Sequence, residues 1–265
     1  MERLKIKELN VEIKNRKILK NVSLNIKKGE TLTIIGESGS GKTMLSKLLV
    51  GSKPENAIIN GEILFDDENY LNLSVKEWME KRGKQIAYIS QNPMAIFNDF
   101  QTIESHVIEL YQSHFQISKK ECIQKIKEAF EKVNLDNVDE VLKKYPFQLS
   151  GGMLQRIMFA MMFELNPEVL IVDEPTSALD IFNTNKIIEL LLNFQKENKI
   201  LIIITHDYEM AKKLVGKMIV IKHGDIMEEG LSEEILSNPK TEYGKQLILR
   251  EKYRRYNNEN NKEEF

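Results

Sequence analysis

The sequence predicts an α/β fold with a parallel sheet, an antiparallel β layer ahead of it, and a helical subdomain inserted within it. Short apolar runs at TLTIIG, QIAYIS, VLIVDE and ILIIITHD each end at a glycine or polar residue, and the helical stretch NTNKIIELLLNFQKE separates the last two. That alternation of strand, helix and strand is how a parallel sheet is built. Nearer the N-terminus, LKIKELNVEI and ILKNVSLNI alternate apolar and polar residues around KNRK, as half-buried antiparallel strands do around a turn. Between Gln91 and Leu149 the strand signal disappears, and IESHVIELYQSHF, KKECIQKIKEAFEKVNL and VDEVLKKY carry helical periodicity.

In chain order, TLTIIG is a strand running into the glycine-rich GESGSGKT, and TMLSKLLVG follows with helical spacing and a terminal Gly51. After the helical subdomain, YPFQLSGGMLQR opens a second apolar helix on a small residue and two glycines. Beyond His206, MIVIKHGDIMEEG reads as a hairpin around HGD, and SEEILSN as a helix. The final RRYNNENNKEEF is polar enough to be expected as a frayed tail.

Composition narrows the function classes. The 265 residues, 42% hydrophobic, suffice for one large core or a core with a smaller satellite. A formal charge of −2, from 38 basic and 40 acidic side chains, gives no general reason to expect nucleic acid as a partner. Cys122 is the single cysteine, so neither an internal disulfide nor a cysteine-rich metal site is expected, which fits a reducing cytoplasm. Because no apolar run approaches the roughly 20 residues that span a bilayer, and MERLKIKELN lacks a signal peptide's apolar stretch, the chain is expected to be soluble, leaving room for a membrane partner.

The chemistry begins at GESGSGKT, a full match to the P-loop pattern in the strand–loop–helix context that this pattern requires. Gly36, Gly39 and Gly41 let the backbone bend round phosphate, with Glu37, Ser38 and Ser40 completing the loop. Lys42 supplies a point charge to the terminal phosphates, and Thr43 offers an oxygen to Mg²⁺. A nucleoside triphosphate is the expected ligand. At the end of VLIVDE, Asp173 is placed to reach the Mg²⁺ shell, and Glu174 to orient or deprotonate an attacking water, which implies hydrolysis rather than binding alone. A Gln or His after a strand means little in isolation. The carboxyl ends of parallel strands are nevertheless where ligands collect, so Gln91 is assigned to Mg²⁺ or water and His206 to the γ-phosphate.

The helix opening at Ser150, Gly151 and Gly152 is a second phosphate-type N-terminus in a chain whose P-loop already envelops one nucleotide. A head-to-tail pair of chains resolves the redundancy: each nucleotide lies between Lys42 of one subunit and the Ser150 segment of the other. Met153, Met158, Met161 and Met162 on that helix are read as core residues.

Together these segments resemble the ATP-binding cassette (ABC) ATPases. GESGSGKT is similar to their Walker A motif, Gln91 to the Q-loop, LSGGM to the signature, VLIVDE to Walker B, SALD to the D-loop and His206 to the switch histidine, a likeness reaching to about Pro239. The resemblance implies a RecA-like parallel-sheet core, ATP and Mg²⁺ as cofactors, Glu174 as general base and Asp180 as a coupler of the two sites. It implies a nucleotide-binding domain over residues 1–250, a helical subdomain at about 92–160 and a polar tail at 251–265. QNPMAIFN and YPFQLSGGMLQR further resemble the nickel and peptide importer branch, and the lone Cys122 argues against the cysteine-rich extension of its peptide-type subunits. By that likeness the chain works at the cytoplasmic face of the membrane with a second, nonidentical ATPase subunit, two membrane permease subunits and an extracellular solute-binding protein. The implied cargo is nickel or related metal chelates, with oligopeptides as the alternative. Where many members stack adenine on an aromatic ring, VEIKNRK offers Ile13. Two readings from other classes compete. A soluble cassette ATPase acting on DNA or ribosomes would call for a coiled-coil insertion, paired cassettes or a basic surface; a regulatory nucleotide-binding module would not need Glu174 and His206.

Overall fold

The alternating N-terminal segments are strands β1 (Glu2–Ile13) and β2 (Arg16–Lys27) of the computed structural model, which describes residues 2–176 and 179–260. Their register sets Leu4 opposite Ile26, Ile6 opposite Leu24 and Val11 opposite Leu19, so one face of the hairpin is apolar. Lys14 and Asn15 turn it with φ of 49° and 60°, the left-handed pair that suits a two-residue hairpin.

The chain continues through β3 (Thr31–Ile35), α1 (Lys42–Leu49), β4 (Ala57–Phe65), β5 (Glu68–Asn69), α2 (Val75–Lys81) and β6 (Ile86–Ile89). Helices α3 (Ile103–His114), α4 (Lys119–Lys132), α5 (Val138–Lys143) and α6 (Gly151–Glu164) follow, then β7 (Val169–Asp173) and α7 (Ile181–Lys196). The remainder is β8 (Ile200–Ile204), α8 (Tyr208–Lys213), β9 (Lys217–Lys222), β10 (Asp225–Leu231), α9 (Ser232–Ser237) and α10 (Glu242–Asn260). Contacts divide these elements into two units, one made of the segments up to Ser74 and from Gln195 onward, the other of Val75–Phe194.

The first unit holds an antiparallel sheet in the order β2-β1-β4-β5 and a second run in the order β10-β9-β3-β8. Strand β3 is parallel to both β8, with Ile34 opposite Ile204, and β9, with Ile35 opposite Val220. All five residues of β3 are buried, and so are all five of β8, the pattern of strands covered on both faces. The predicted hairpin around HGD is β9 and β10, turned by His223 and Gly224 with φ of 48° and 86°. Strand β4 interrupts its alternation with Asn60, Gly61 and Glu62, which hides it in the sequence. Gly61 is needed there: a bulge in β1 at Glu8 brings two carbonyl oxygens within 2.6 Å of where a Cβ would stand.

In the second unit β6 and β7 pair in parallel, with Ile86 opposite Val169 and Ile89 opposite Val172. Its helices start on side-chain caps: Thr102 for α3, Ser118 for α4, where Glu121 completes a capping box, and Ser150 for α6. Of the α6 methionines, Met158 and Met161 are core residues as expected, while Met153 and Met162 are half-buried.

Helix α10 runs on to Asn260, so residues 254–260 of the expected frayed tail keep helical backbone, while its residues 261–265 lie outside the described residues. Its anchor is Glu228 of β10, whose carboxylate accepts from the Lys240 N–H at 2.7 Å, the Thr241 N–H at 3.1 Å and the Thr241 hydroxyl at 2.9 Å. An anion at a helix N-terminus also meets the favourable end of the dipole. Tyr243 and Ile248 then tie the helix to a core of Ile35, Ala211, Met218, Val220 and Ile235. Burial pushes the Glu228 carboxyl up, but the hydrogen bonds from Lys240 and Thr241 outweigh it and hold the group below its usual 4.5. Because the native carboxyl is the stronger acid, its contribution is present above pH 4.5 and is lost as pH falls through the lower native value. Glu228→Gln is therefore expected to cost about 1–2 kcal/mol at neutral pH, and the gap in denaturation midpoint from wild type should close below that window in a pH series of urea melts.

Candidate nucleotide site

The P-loop is what β3 becomes when it leaves the core. Gly36, Gly39 and Gly41 have φ of 156°, 77° and 110°, and each answers a different need. A Cβ on Gly36 would stand 2.2 Å from the Ile221 carbonyl oxygen, and one on Gly41 would stand 2.8 Å from Leu19 Cδ2 and 2.9 Å from the Ile18 carbonyl oxygen. Beside Gly39 nothing lies within 4 Å, so the loop there borders open space. The outer side is pinned by the β9–β10 turn: the Gly224 N–H donates to the Ser40 carbonyl at 2.9 Å, and the Lys20 N–H to the Gly224 carbonyl at 2.9 Å.

Lys42, the first residue of α1, folds back over the loop. Its ammonium donates to the carbonyls of Gly36 at 2.7 Å and Glu37 at 2.8 Å, and reaches Ser40 Oγ at 3.4 Å. Ser38 and Gly39 are exposed, as is Thr43, while Ser40 is buried. The Glu37 side chain is turned to Arg250, 2.5 Å away. A helix N-terminus, a bound ammonium and a loop bordering open space make a donor set suited to an anion. His206 lies in the same unit. It follows β8 by two residues as Gly36 follows Ile34 in the neighbouring β3 by two, so the register sets both at the carboxyl ends of adjacent strands. The side chain of His206 is exposed, and Asp207 after it caps α8 through the N–H groups of Glu209 and Met210.

In the second unit Gln91 and Glu174 each stand two residues beyond the paired positions Ile89 and Val172 of β6 and β7. Asp173 is 4% exposed, and its Oδ2 accepts from the Tyr88 hydroxyl at 3.0 Å. Glu174 has φ of 49°, uncommon for a residue with a Cβ. Left-handed backbone at such a residue costs about 1–3 kcal/mol and gathers at functional sites. Gln91 is exposed. Oxygen donors of the kind found in Asp173, Thr43 and Gln91 suit a hard divalent cation such as Mg²⁺.

Ser150 caps α6 by accepting from the Met153 N–H at 3.2 Å, and both Ser150 and Gly151 are exposed. A Cβ on Gly151 would meet nothing within 4 Å, so this helix end presents its N–H groups to open space. Two neighbours carry structure that sequence reasoning gave no role. Gln155, fully buried, donates to the Pro175 carbonyl at 2.6 Å and so ties α6 to the turn just after Glu174. Arg156 donates to the carbonyls of Gly152, Val133 and Asn134. Burial draws its guanidinium down, against the pull of Asp180 and Asp136. Asp180 accepts from the Asn183 N–H at 2.9 Å and its Nδ2 at 2.7 Å, which holds the carboxyl below its usual range. Of SALD, Ser177 and Ala178 lie outside the described residues. Ile13, placed near the base by resemblance, is half-buried at the end of β1, opposite Arg16 and Ala57.

Known proteins resemble this chain in sequence and in fold. The family model for ABC transporters matches residues 19–177. The metal-staphylopine import system ATP-binding protein CntD of Staphylococcus aureus is 35% identical over 236 residues, covering 89% of this chain and 87% of that protein. The dipeptide transport ATP-binding protein DppD of Lactococcus lactis is 36% identical over 247 residues, covering 91% and 71%. Among solved structures, the dimeric post-hydrolysis state of the ATP-binding cassette MJ0796 bound to ADP and Pi superposes with a TM-score of 0.76 at 29% identity, covering 86% of this chain and 98% of that one.

The glycines predict a contrast. Gly41→Ala meets both backbone strain and two close atoms, whereas Gly39→Ala meets strain alone, so Gly41→Ala should be the less stable by about 1–3 kcal/mol in urea denaturation.

Proposed function

Because this chain belongs to the ABC transporter ATPases, we propose that it is the motor of a metal-chelate importer, with its described side chains divided between two composite ATP sites. It is an ABC importer ATPase, and its cofactors are ATP and Mg²⁺. ATPases of this kind work with transmembrane permeases and substrate-binding proteins. Among the described residues no helix is long and apolar enough to cross a membrane. Peripheral attachment at the cytoplasmic face, beside two permease subunits and a second, nonidentical ATPase, is the assembly we infer. Residues 1–250 would form the nucleotide-binding domain, with its helical subdomain at about 92–160.

The observation that carries the site assignment is the Lys42 ammonium held on the carbonyls of Gly36 and Glu37 at the N-terminus of α1. Backbone N–H groups of residues 36–43 bind the phosphates, and Lys42 meets their terminal charge. Thr43, Asp173 and Gln91 are the residues that would hold Mg²⁺, and the Tyr88 hydroxyl orients the Asp173 carboxylate. When bound, the ion offsets negative charge on the phosphate oxygens. Glu174 takes a proton from the attacking water or aims it, and His206 donates a hydrogen bond toward the γ-phosphate. Ser150, Gly151 and Gly152 serve the nucleotide of the partner subunit, and Asp180 couples the two sites.

Metal-chelate cargo is supported by the likeness to CntD, whereas the likeness to DppD supports peptide cargo as the second reading. Uptake assays in cells carrying the whole transporter separate them: labelled nickel or a metal chelate should enter in an ATP-dependent way, and entry of labelled peptides alone would overturn the metal reading.

Lys42→Ala should weaken ATP binding about 10- to 100-fold, while Glu174→Gln should bind ATP normally and lose about 100-fold or more in turnover. Nucleotide titration and phosphate release check the pair. Ser150→Arg should leave binding at this chain's own P-loop intact yet abolish the turnover gained on mixing with the second ATPase subunit. Full activity of the isolated monomer carrying Ser150→Arg would overturn the shared-site assignment.

A further inference from the structure

We propose that Tyr243, at the start of α10, is a positioning residue for Lys42, acting through the single peptide group that joins Gly36 to Glu37. The proposal rests on the phosphate-binding role assigned above to Lys42. The Glu37 N–H donates to the Tyr243 hydroxyl at 3.1 Å. The carbonyl of the same peptide accepts from Lys42 Nζ at 2.7 Å. The peptide is trans, so its N–H and C=O point in opposite directions within one plane. Fixing the N–H on the phenol therefore aims the carbonyl at the ammonium. Without that anchor the peptide can rotate, and the cage of carbonyls that holds Lys42 over the loop opens on one side.

The phenol is itself fixed from several directions. Its ring is 8% exposed in a core shared with Ile35, the residue just before Gly36, so one side chain grips the loop on both sides of that glycine. Lys222 Nζ lies 4.5 Å from the ring centroid. The backbone beneath it is held by Glu228, which binds Lys240 and Thr241, and by the Gly244 N–H donating to Thr241 Oγ1 at 3.0 Å. Burial raises the phenol's pKa, so the hydroxyl remains neutral at physiological pH. The nearby Arg250–Glu37 pair is a poor candidate for this role, since its side chains are 70% and 42% exposed and solvent screens them.

Tyr243→Phe keeps the ring and its packing and removes only the acceptor. In the full-length chain we expect ATP affinity to fall about fivefold, the value of one ordinary hydrogen bond, with a modest fall in the melting temperature of the nucleotide-free protein because the Glu37 N–H loses its acceptor. Arg250→Ala should stay within about twofold of wild type. A double-mutant cycle tests the route: with ATP titrated into the millimolar range against all four proteins, Tyr243→Phe should have no further effect in a Lys42→Ala background. Wild-type ATP affinity in Tyr243→Phe, or an equal loss in both backgrounds, would overturn the proposal. Unchanged affinity in Lys42→Ala alone would instead sink the phosphate-site reading on which it rests. Hydrogen exchange on the unmutated protein adds a test independent of any variant: the Glu37 amide should be protected without nucleotide, and exchange at an unprotected rate would refute the anchor.

Discussion

A strand buried on both faces must leave the core without abandoning its peptide groups, and that constraint shapes the first unit. Strand β3 is buried along its whole length between β8 and β9. Beyond Ile35 the sheet no longer supplies partners, yet a buried amide or carbonyl left unpaired is costly. The chain meets this demand with one group near in sequence and two far from it: Lys42 for the carbonyls of Gly36 and Glu37, Tyr243 for the Glu37 N–H, and Gly224 for the Ser40 carbonyl. A loop stitched in this way keeps its shape, so that phosphate would meet donors already in place rather than having to order them.

The same economy governs the second unit. Asp173 ends a fully buried strand and has the Tyr88 hydroxyl to satisfy one of its oxygens. The next residue, Glu174, takes up left-handed backbone, and the turn behind it is held through Pro175 by the buried Gln155 of α6. Thus α6, whose N-cap is Ser150, is joined by one hydrogen bond to the turn that follows Glu174.

The openings of α6 and α1 differ in how their helix ends are exposed. At α1 the loop wraps the space and a lysine lies over it. At α6 a serine cap satisfies one N–H, while Gly151 leaves the approach clear.

The sequence alone determined the classes of element and pointed to the candidate site residues, because both readings depend on local rules. Apolar runs ending in polar residues marked β3, β6, β7 and β8, and the P-loop is legible since its glycines, lysine and threonine are contiguous. Strand β4 was hidden by Asn60 and Gly61, residues demanded by a bulge in another strand. Helix α10 was hidden as well, for its polarity suggests fraying, and its hold comes from Glu228 and a core drawn from β3, α8, β9 and α9. Tyr243, Gln155, Arg156 and Tyr88 carried no signal, since their partners lie 206, 20, 22 and 85 residues away in the chain. Only tertiary structure decides such pairs: a hydrogen bond depends on distance in space, and local pattern reports only on neighbours in sequence.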